Sequence, residues 1–167
     1  SGADLFRSSS GKVPWSDDVR AAFVGAMASM SAMKWKIFST VHLVLGLTYV
    51  EKGLVARALE RKNIEPGLAR RALRELFSRN APSDDTDDKW EVSDNLVSIL
   101  ATARRLAKEQ GQSEVSEANV VGALLEHTEA GGLMLLTCLK IDLEELASDI
   151  RNESGQLPRS KLVTRGK

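Results

Sequence analysis

Apolar side chains recur along this chain at the three- and four-residue spacing of amphipathic helices, in two successive blocks of four segments. In the first block Val19, Phe23, Ala26, Met27 and Met30 follow Ser16, whose hydroxyl suits a helix N-cap with apolar Trp15 just before it. Ser39 opens a second segment carrying Val41, Leu43, Val44, Leu45, Leu47 and Val50, apolar on most sides as befits a central helix. After Glu51-Lys52-Gly53 the pattern predicts a short third helix from Leu54 to about Arg61, with Val55, Ala58 and Leu59 inward. Glu65-Pro66 begins a fourth, because proline's missing N–H costs nothing in the first turn. Leu68, Ala69, Ala72, Leu73 and Leu76 give that helix its buried stripe, and Arg70, Arg71 and Arg74 its solvated face. No segment sustains the two-residue alternation of a strand, so the expected fold is all-α.

The two blocks are copies. Setting residue i against residue i+77 aligns them without a gap from Ser16 to Arg74. Ser16 then meets Ser93, Asp17 meets Asp94, Ala26 meets Ala103, Ser39 meets Ser116, Leu47 meets Leu124, Leu59 meets Leu136 and Ile64 meets Ile141. Unrelated helical blocks share apolar phase by chance, but rarely helix-start serines and core leucines in one register. The second block's helices are expected to start at Ser93, Ser116, Gly131-Gly132 and Asp142, with Asp142 and Glu145 at capping-box spacing. Composition sets the remaining boundaries. Residues 1–13 form a Ser- and Gly-rich tail, 14–79 the first repeat, 80–91 an acidic linker around Asp84-Asp85-Thr86-Asp87-Asp88, 92–153 the second repeat, and 154–167 a basic tail.

Charge and chemistry narrow the function. The 167 residues carry 23 basic and 23 acidic side chains, so no net field draws the chain to nucleic acid. The longest apolar run, Val41 to Val50, is interrupted by His42, Gly46 and Thr48 and falls short of a membrane span. Cys138 is the single cysteine and has only His42 and His127 for company, too few for an internal disulfide or a thiolate metal site. No nucleophile with its base and no paired carboxylates can be assembled, so the chain is read as no enzyme, without cofactor, metal or small-molecule substrate. His42 is expected to make a structural hydrogen bond at a helix start, His127 to meet terminal carbonyls, and Cys138 to be buried and inert.

Phe38-Ser39-Thr40-Val41-His42-Leu43-Val44-Leu45-Gly46-Leu47 and Val115-Ser116-Glu117-Ala118-Asn119-Val120-Val121-Gly122-Ala123-Leu124-Leu125 follow one pattern. It is similar to the pattern of an apolar residue, Ser/Thr, a short polar step, Glu-His and a leucine-rich helix in the double Clp repeat of Hsp100/Clp unfoldases and their stand-alone relatives. Leu59 to Glu65 and Leu136 to Asp142 resemble the family's next signature, a leucine followed by an Ile-Asp or Val-Asp turn. The first block departs from it, since only His42 matches the Glu-His pair. The resemblance spans about Ser16 to Glu153. It implies two four-helix Clp repeats related by a pseudo-twofold, eight helices in one compact domain that binds proteins and does no chemistry.

An unfoldase would also carry a Gly-x-x-x-x-Gly-Lys-Ser/Thr phosphate loop, and neither Gly11-Lys12 nor Gly166-Lys167 fits one. The chain therefore resembles the plastid ClpT type, small Clp-repeat proteins that attach to the Clp protease core and support its assembly. That resemblance implies an accessory subunit in the chloroplast stroma, with Clp protease core ring subunits and a Clp/Hsp100 unfoldase as partners. A start other than methionine suits removal of a transit peptide, or equally of a cleaved tag. The acidic inter-repeat segment departs from plant members of that group, which carry a Met-Tyr-Phe motif there. The other setting is the N-terminal substrate- or adaptor-binding domain of an unfoldase, with the bacterial cytoplasm as an alternative location.

Three sets of residues are candidates for partner binding. Leu5 and Phe6 lie in the first tail, where they resemble the short apolar loop with which Clp unfoldases dock on the protease ring. Met33 and Trp35 fall in the turn before the second helix, open to an interface. Arg70, Arg71 and Arg74 offer a basic face to an acidic partner; without an aromatic stacking set, they do not suggest nucleic acid.

Overall fold

The computed structural model describes residues 11–78, 89–127 and 131–156. Eight helices run through them: α1 (Asp17–Ala32), α2 (Thr40–Leu47), α3 (Leu54–Arg61), α4 (Pro66–Phe77), α5 (Asp94–Glu109), α6 (Glu117–Glu126), α7 (Gly131–Cys138) and α8 (Leu143–Gln156). Asp94 follows Asp17 by 77 places, as Glu117 follows Thr40, Gly131 follows Leu54 and Leu143 follows Pro66, so the sequence repeat is also the structural one. Its local causes recur with it. Ser16 Oγ accepts from Val19 N and Ser93 Oγ from Leu96 N, each at 3.2 Å, satisfying N–H groups that a helix start leaves bare. After α1 and α5 the chain turns back through left-handed Lys34 and Gly111, with Trp35 N donating to Met30 O and Gln112 N to Ala107 O. Left-handed Asn63 and Lys140 do the same after α3 and α7.

Two short parallel contacts join the repeats. Strand β1 (Ile37–Phe38) pairs with β2 (Glu91–Val92), Phe38 opposite Val92, and an isolated bridge sets Trp15 opposite Val115. Val92 is the counterpart of Trp15 and Val115 that of Phe38, so one contact is made twice across the pseudo-twofold. Two-residue strands are too short for alternation to reveal, which is why the sequence pattern does not show them.

The same exchange caps helices deep in the core. Glu117 Oε1 accepts from Leu54 N at 2.7 Å, and Thr40 Oγ1 accepts from Gly132 N at 2.9 Å. Thr40 and Glu117 are counterparts, so each repeat satisfies the start of the other's third helix. Around them α2 and α6 are buried on most sides, with Phe38, Leu43, Leu45, Leu47, Leu96, Leu100 and Leu124 in one continuous core.

Some boundaries shift. Helix α2 stops at Leu47 rather than Val50, Glu91 belongs to β2 rather than to the linker, and α8 continues to Gln156. Asp142 caps α8 as expected, accepting from Glu144 N and Glu145 N, but Glu145 turns to Arg61 instead of closing a capping box. His127 bonds through Nε2 to Thr102 Oγ1 at 3.0 Å rather than through its ring to terminal carbonyls. Cys138 is exposed, not buried, because α7 turns Gly132, Leu135 and Leu136 inward and leaves Met134 and Cys138 on its outer side. One thiol per chain is therefore expected to react with a thiol reagent in native buffer at close to its rate in denaturant. Strong protection in native buffer would contradict this placement.

Candidate functional site

Helix α4 is rotated from the orientation its leucines suggest. Proline stands at its first position, and the Glu65 side chain caps it by accepting from Gly67 N at 3.0 Å and Leu68 N at 3.2 Å. Only Ala69 and Leu73 are buried; Leu68 is 58% and Leu76 72% exposed, and Ala72 lies in solvent with them. Arg71 lies in water as expected, but Arg70 and Arg74 are half-buried instead. Arg70 Nη1 donates to Thr48 O at 2.9 Å and Thr48 Oγ1 at 3.2 Å, and its guanidinium lies 3.9 Å from the Tyr49 ring centroid. Arg74 Nη2 donates to Ser29 Oγ at 3.2 Å and to the Tyr49 hydroxyl. The physical reason is the ring and carbonyl at the end of α2. Cation–π contacts and backbone acceptors hold two guanidiniums there, and the turn of the helix that allows it leaves two leucines outside.

Glycine makes room for this arrangement, since a Cβ on Gly25 of α1 would come within 2.3 Å of the Tyr49 ring. The result is an open cleft of about 520 Å3 between α1 and α4, lined by Ala32, Tyr49, Leu68, Arg70, Arg74 and Glu75 among others. Arg71 stands exposed at its edge, and Arg74 Nε is buried with no hydrogen-bond acceptor. Among the described residues no carboxylate forms an ion pair with Arg70, Arg71 or Arg74. Three arginines elsewhere are paired, Arg57 with Glu153, Arg61 with Glu145 and Asp149, and Arg105 with Glu109 and Glu126, while Arg104 lies over the Trp15 ring.

The repeat shows that the cluster is not required by the fold. Its counterparts are Glu126 for Tyr49, Ala147 and Ser148 for Arg70 and Arg71, and Leu106 for Ser29; only Arg74 keeps a basic counterpart, Arg151. Glu126 instead pairs with Arg105 at 3.0 Å.

The other expected contacts fare differently. Leu5 and Phe6 lie outside the described residues. Met33 is fully buried and offers nothing to a partner, because the left-handed turn at Lys34 folds the chain back and points it into the core. Trp35 is half-buried and bound to the fold: its Nε1 donates to Phe77 O at 2.8 Å and its ring meets His42 edge-on at 5.4 Å. The structure brings Arg70, Arg71 and Arg74 together and adds Thr48, Tyr49, Leu68 and Leu76, which sequence reasoning missed. The available signal was the single tyrosine falling where the other copy has Glu126, in register with the exchange of arginines for Ala147 and Ser148.

Among the described residues no group of three or more His, Cys, Asp and Glu could hold a metal ion, and no helix is long and apolar enough to cross a membrane. His42 makes the structural bond foreseen for it, Nδ1 accepting from Ser39 N at 3.0 Å, and burial lowers its pKa to about 4.

Solved structures share the fold. The N-terminal domain of the caseinolytic protease associated chaperone ClpD from Arabidopsis thaliana is 15% identical with a TM-score of 0.65, over 83% of this chain and 96% of that one. The Hsp104 N-terminal domain from Candida albicans is 14% identical with a TM-score of 0.63, over 86% and 91%. No curated protein sequence matches the chain. The model of the Clp repeat (R) N-terminal domain matches residues 15–137, and with eight helices repeated at 77 residues the chain belongs to that family.

Proposed function

We propose that the chain is a non-catalytic accessory or adaptor subunit that binds the Clp protease core ring and supports its assembly or its docking with the Hsp100 unfoldase. Family membership supports the general part, because Clp N-terminal domains bind substrates and adaptors for Hsp100 unfoldases. One observation carries the docking role: α4 breaks the symmetry of the repeat by leaving Leu68, Leu76 and Arg71 exposed beside Arg70 and Arg74, which have no carboxylate partner among the described residues. A location in the chloroplast stroma comes with this reading.

The test is sedimentation of the purified chain with the assembled protease core, and separately with an Hsp100 hexamer. The accessory role expects co-sedimentation with the core in the absence of nucleotide and of unfoldase. Failure to bind the core would overturn it. A second reading draws support from the near-complete span of two unfoldase N-domains, 96% and 91%. On that reading the chain is the N-terminal substrate- or adaptor-binding domain of a Clp/Hsp100 unfoldase, and it binds unfolded clients or adaptors with no affinity for the core.

A further inference from the structure

Helices α4 and α8 are counterparts that sit differently. Helix α8 is clasped to α3 by Arg57 with Glu153 and by Arg61 with Glu145 and Asp149, and it packs against α6 as well. Among the described residues α4 makes no comparable contact with the counterparts of those two helices, α7 and α2. Moving the clasp by 77 places shows what stands in its stead. The carboxylates become Leu68, Ala72 and Leu76 on α4, and the arginines become Met134 and Cys138 on α7. All five are exposed. Charge has been exchanged for apolar surface on both sides of a contact that α4 does not close.

We propose that α4 has two seats and passes between them by turning about its own axis. Its apolar side chains form two adjoining rows, Leu68, Ala72 and Leu76, then Ala69, Leu73 and Phe77, which together cover about half of its circumference. Only the second row is turned inward in the seat described above. The rows are one residue apart, so a turn of about 100° brings the first row in and carries Arg70 and Arg74 out to water. The second seat is the pseudo-twofold mate of the seat of α8 on α3, with Leu68, Ala72 and Leu76 against Met134 and Cys138. A polar latch opposes the turn: Arg70 bonded to Thr48 and stacked on Tyr49, Arg74 bonded to Ser29 and Tyr49, and Trp35 Nε1 donating to Phe77 O. Burying two leucines and making hydrogen bonds from charged groups are gains of the same order, so the two seats lie close in free energy. The first seat shows a partner leucines, and the second shows it arginines. The proposal concerns the chain alone and holds whichever partner it serves.

The test uses the native Cys138 as a probe. Leu68 and Ala72 are the counterparts of Glu145 and Asp149, which both reach Arg61, the counterpart of Cys138. Leu68→Cys and Ala72→Cys, made singly in the full chain, are expected to form a disulfide with Cys138 within one chain under mild oxidation, followed by electrophoresis without reductant. Arg71→Cys, a quarter turn away on the exposed side, is the control and should close far more slowly. Tyr49→Leu and Arg74→Met each weaken the latch and should speed closure in the Ala72→Cys chain by about tenfold or more, with an unchanged circular dichroism spectrum. Absence of the disulfide at both positions overturns the proposal, as does equal closure at Arg71→Cys or a rate that neither latch variant moves. If one latch variant loses helix signal, the other decides. Loss of helix signal in both means that α4 melts instead of turning, and also overturns it.

Discussion

Replacing Gly46 with alanine is expected to destabilise the domain by about 3 kcal/mol or more, although alanine is the better helix former by about 1 kcal/mol. A Cβ on Gly46 would lie 2.0 Å from the carbonyl oxygen of Ala22, 2.8 Å from Ala26 Cβ and 2.9 Å from Ala26 N. Most of these atoms are backbone of α1, so no rotamer change relieves the clash. Helix α2 would have to lift away from α1, loosening a contact built from Phe23, Ala26, Leu43 and Leu47. Gly122 of α6 is the control, because a Cβ there meets only Leu106 Cδ1 at 3.5 Å, an ordinary contact. Gly122→Ala should therefore gain about 0.5–1 kcal/mol from helix propensity. The two substitutions are chemically identical and opposite in sign, and urea midpoints followed by circular dichroism measure both. A Gly46→Ala midpoint at or above that of wild type would mean that α1 and α2 are not so closely packed.

The helices and their 77-residue register were legible because their signals are local: cap serines at Ser16 and Ser93, proline at Pro66, and apolar spacing within a turn or two. The side on which α4 rests was not. A leucine is buried only if something apolar lies opposite it, and Thr48 and Tyr49, which draw Arg70 and Arg74 down, stand 22 and 25 residues earlier in the chain. The clasp of α8 was equally hidden, since its ion pairs join residues 88 and 96 positions apart. Met33 was misplaced for a different reason. The turn after it is left-handed at a lysine, where such turns usually advertise themselves with glycine. The other copy does have Gly111 at that position, so comparing the copies residue by residue carries more information than reading either alone. The same comparison picks out the face of α4, where copies that otherwise coincide exchange charge for apolar surface.

Two buried titratable groups are expected to give the stability of the domain a pH dependence that is visible only when one of them is removed. Burial raises the Glu117 pKa from 4.5 to about 7; the Leu54 N–H and Arg57 oppose this, while Glu153 and Asp18 reinforce it. Between those values the folded chain holds a proton that the unfolded chain has lost, so stability falls as pH rises through that window, by on the order of 2–3 kcal/mol. His42 works in reverse. Burial lowers it from 6.5 to about 4, so the unfolded chain takes up a proton that the folded chain refuses, and stability falls as pH drops through that window by a similar amount. The windows nearly coincide, and in wild type the two slopes offset each other. Glu117→Gln keeps an acceptor for Leu54 N and removes the first slope, so that stability should climb from pH 4 to 6.5. His42→Asn removes the second, and stability should fall from pH 4.5 to 7. Asparagine can make the cap bond, since Asn119 accepts from Ser116 N at 2.8 Å at the matching position. The ring it replaces packs against Trp35 and Phe38, which lowers the whole curve by about 1–2 kcal/mol without tilting it. The double variant should be level again. Urea midpoints across the range decide, and single-variant slopes of the same sign would show that these two groups do not carry the effect.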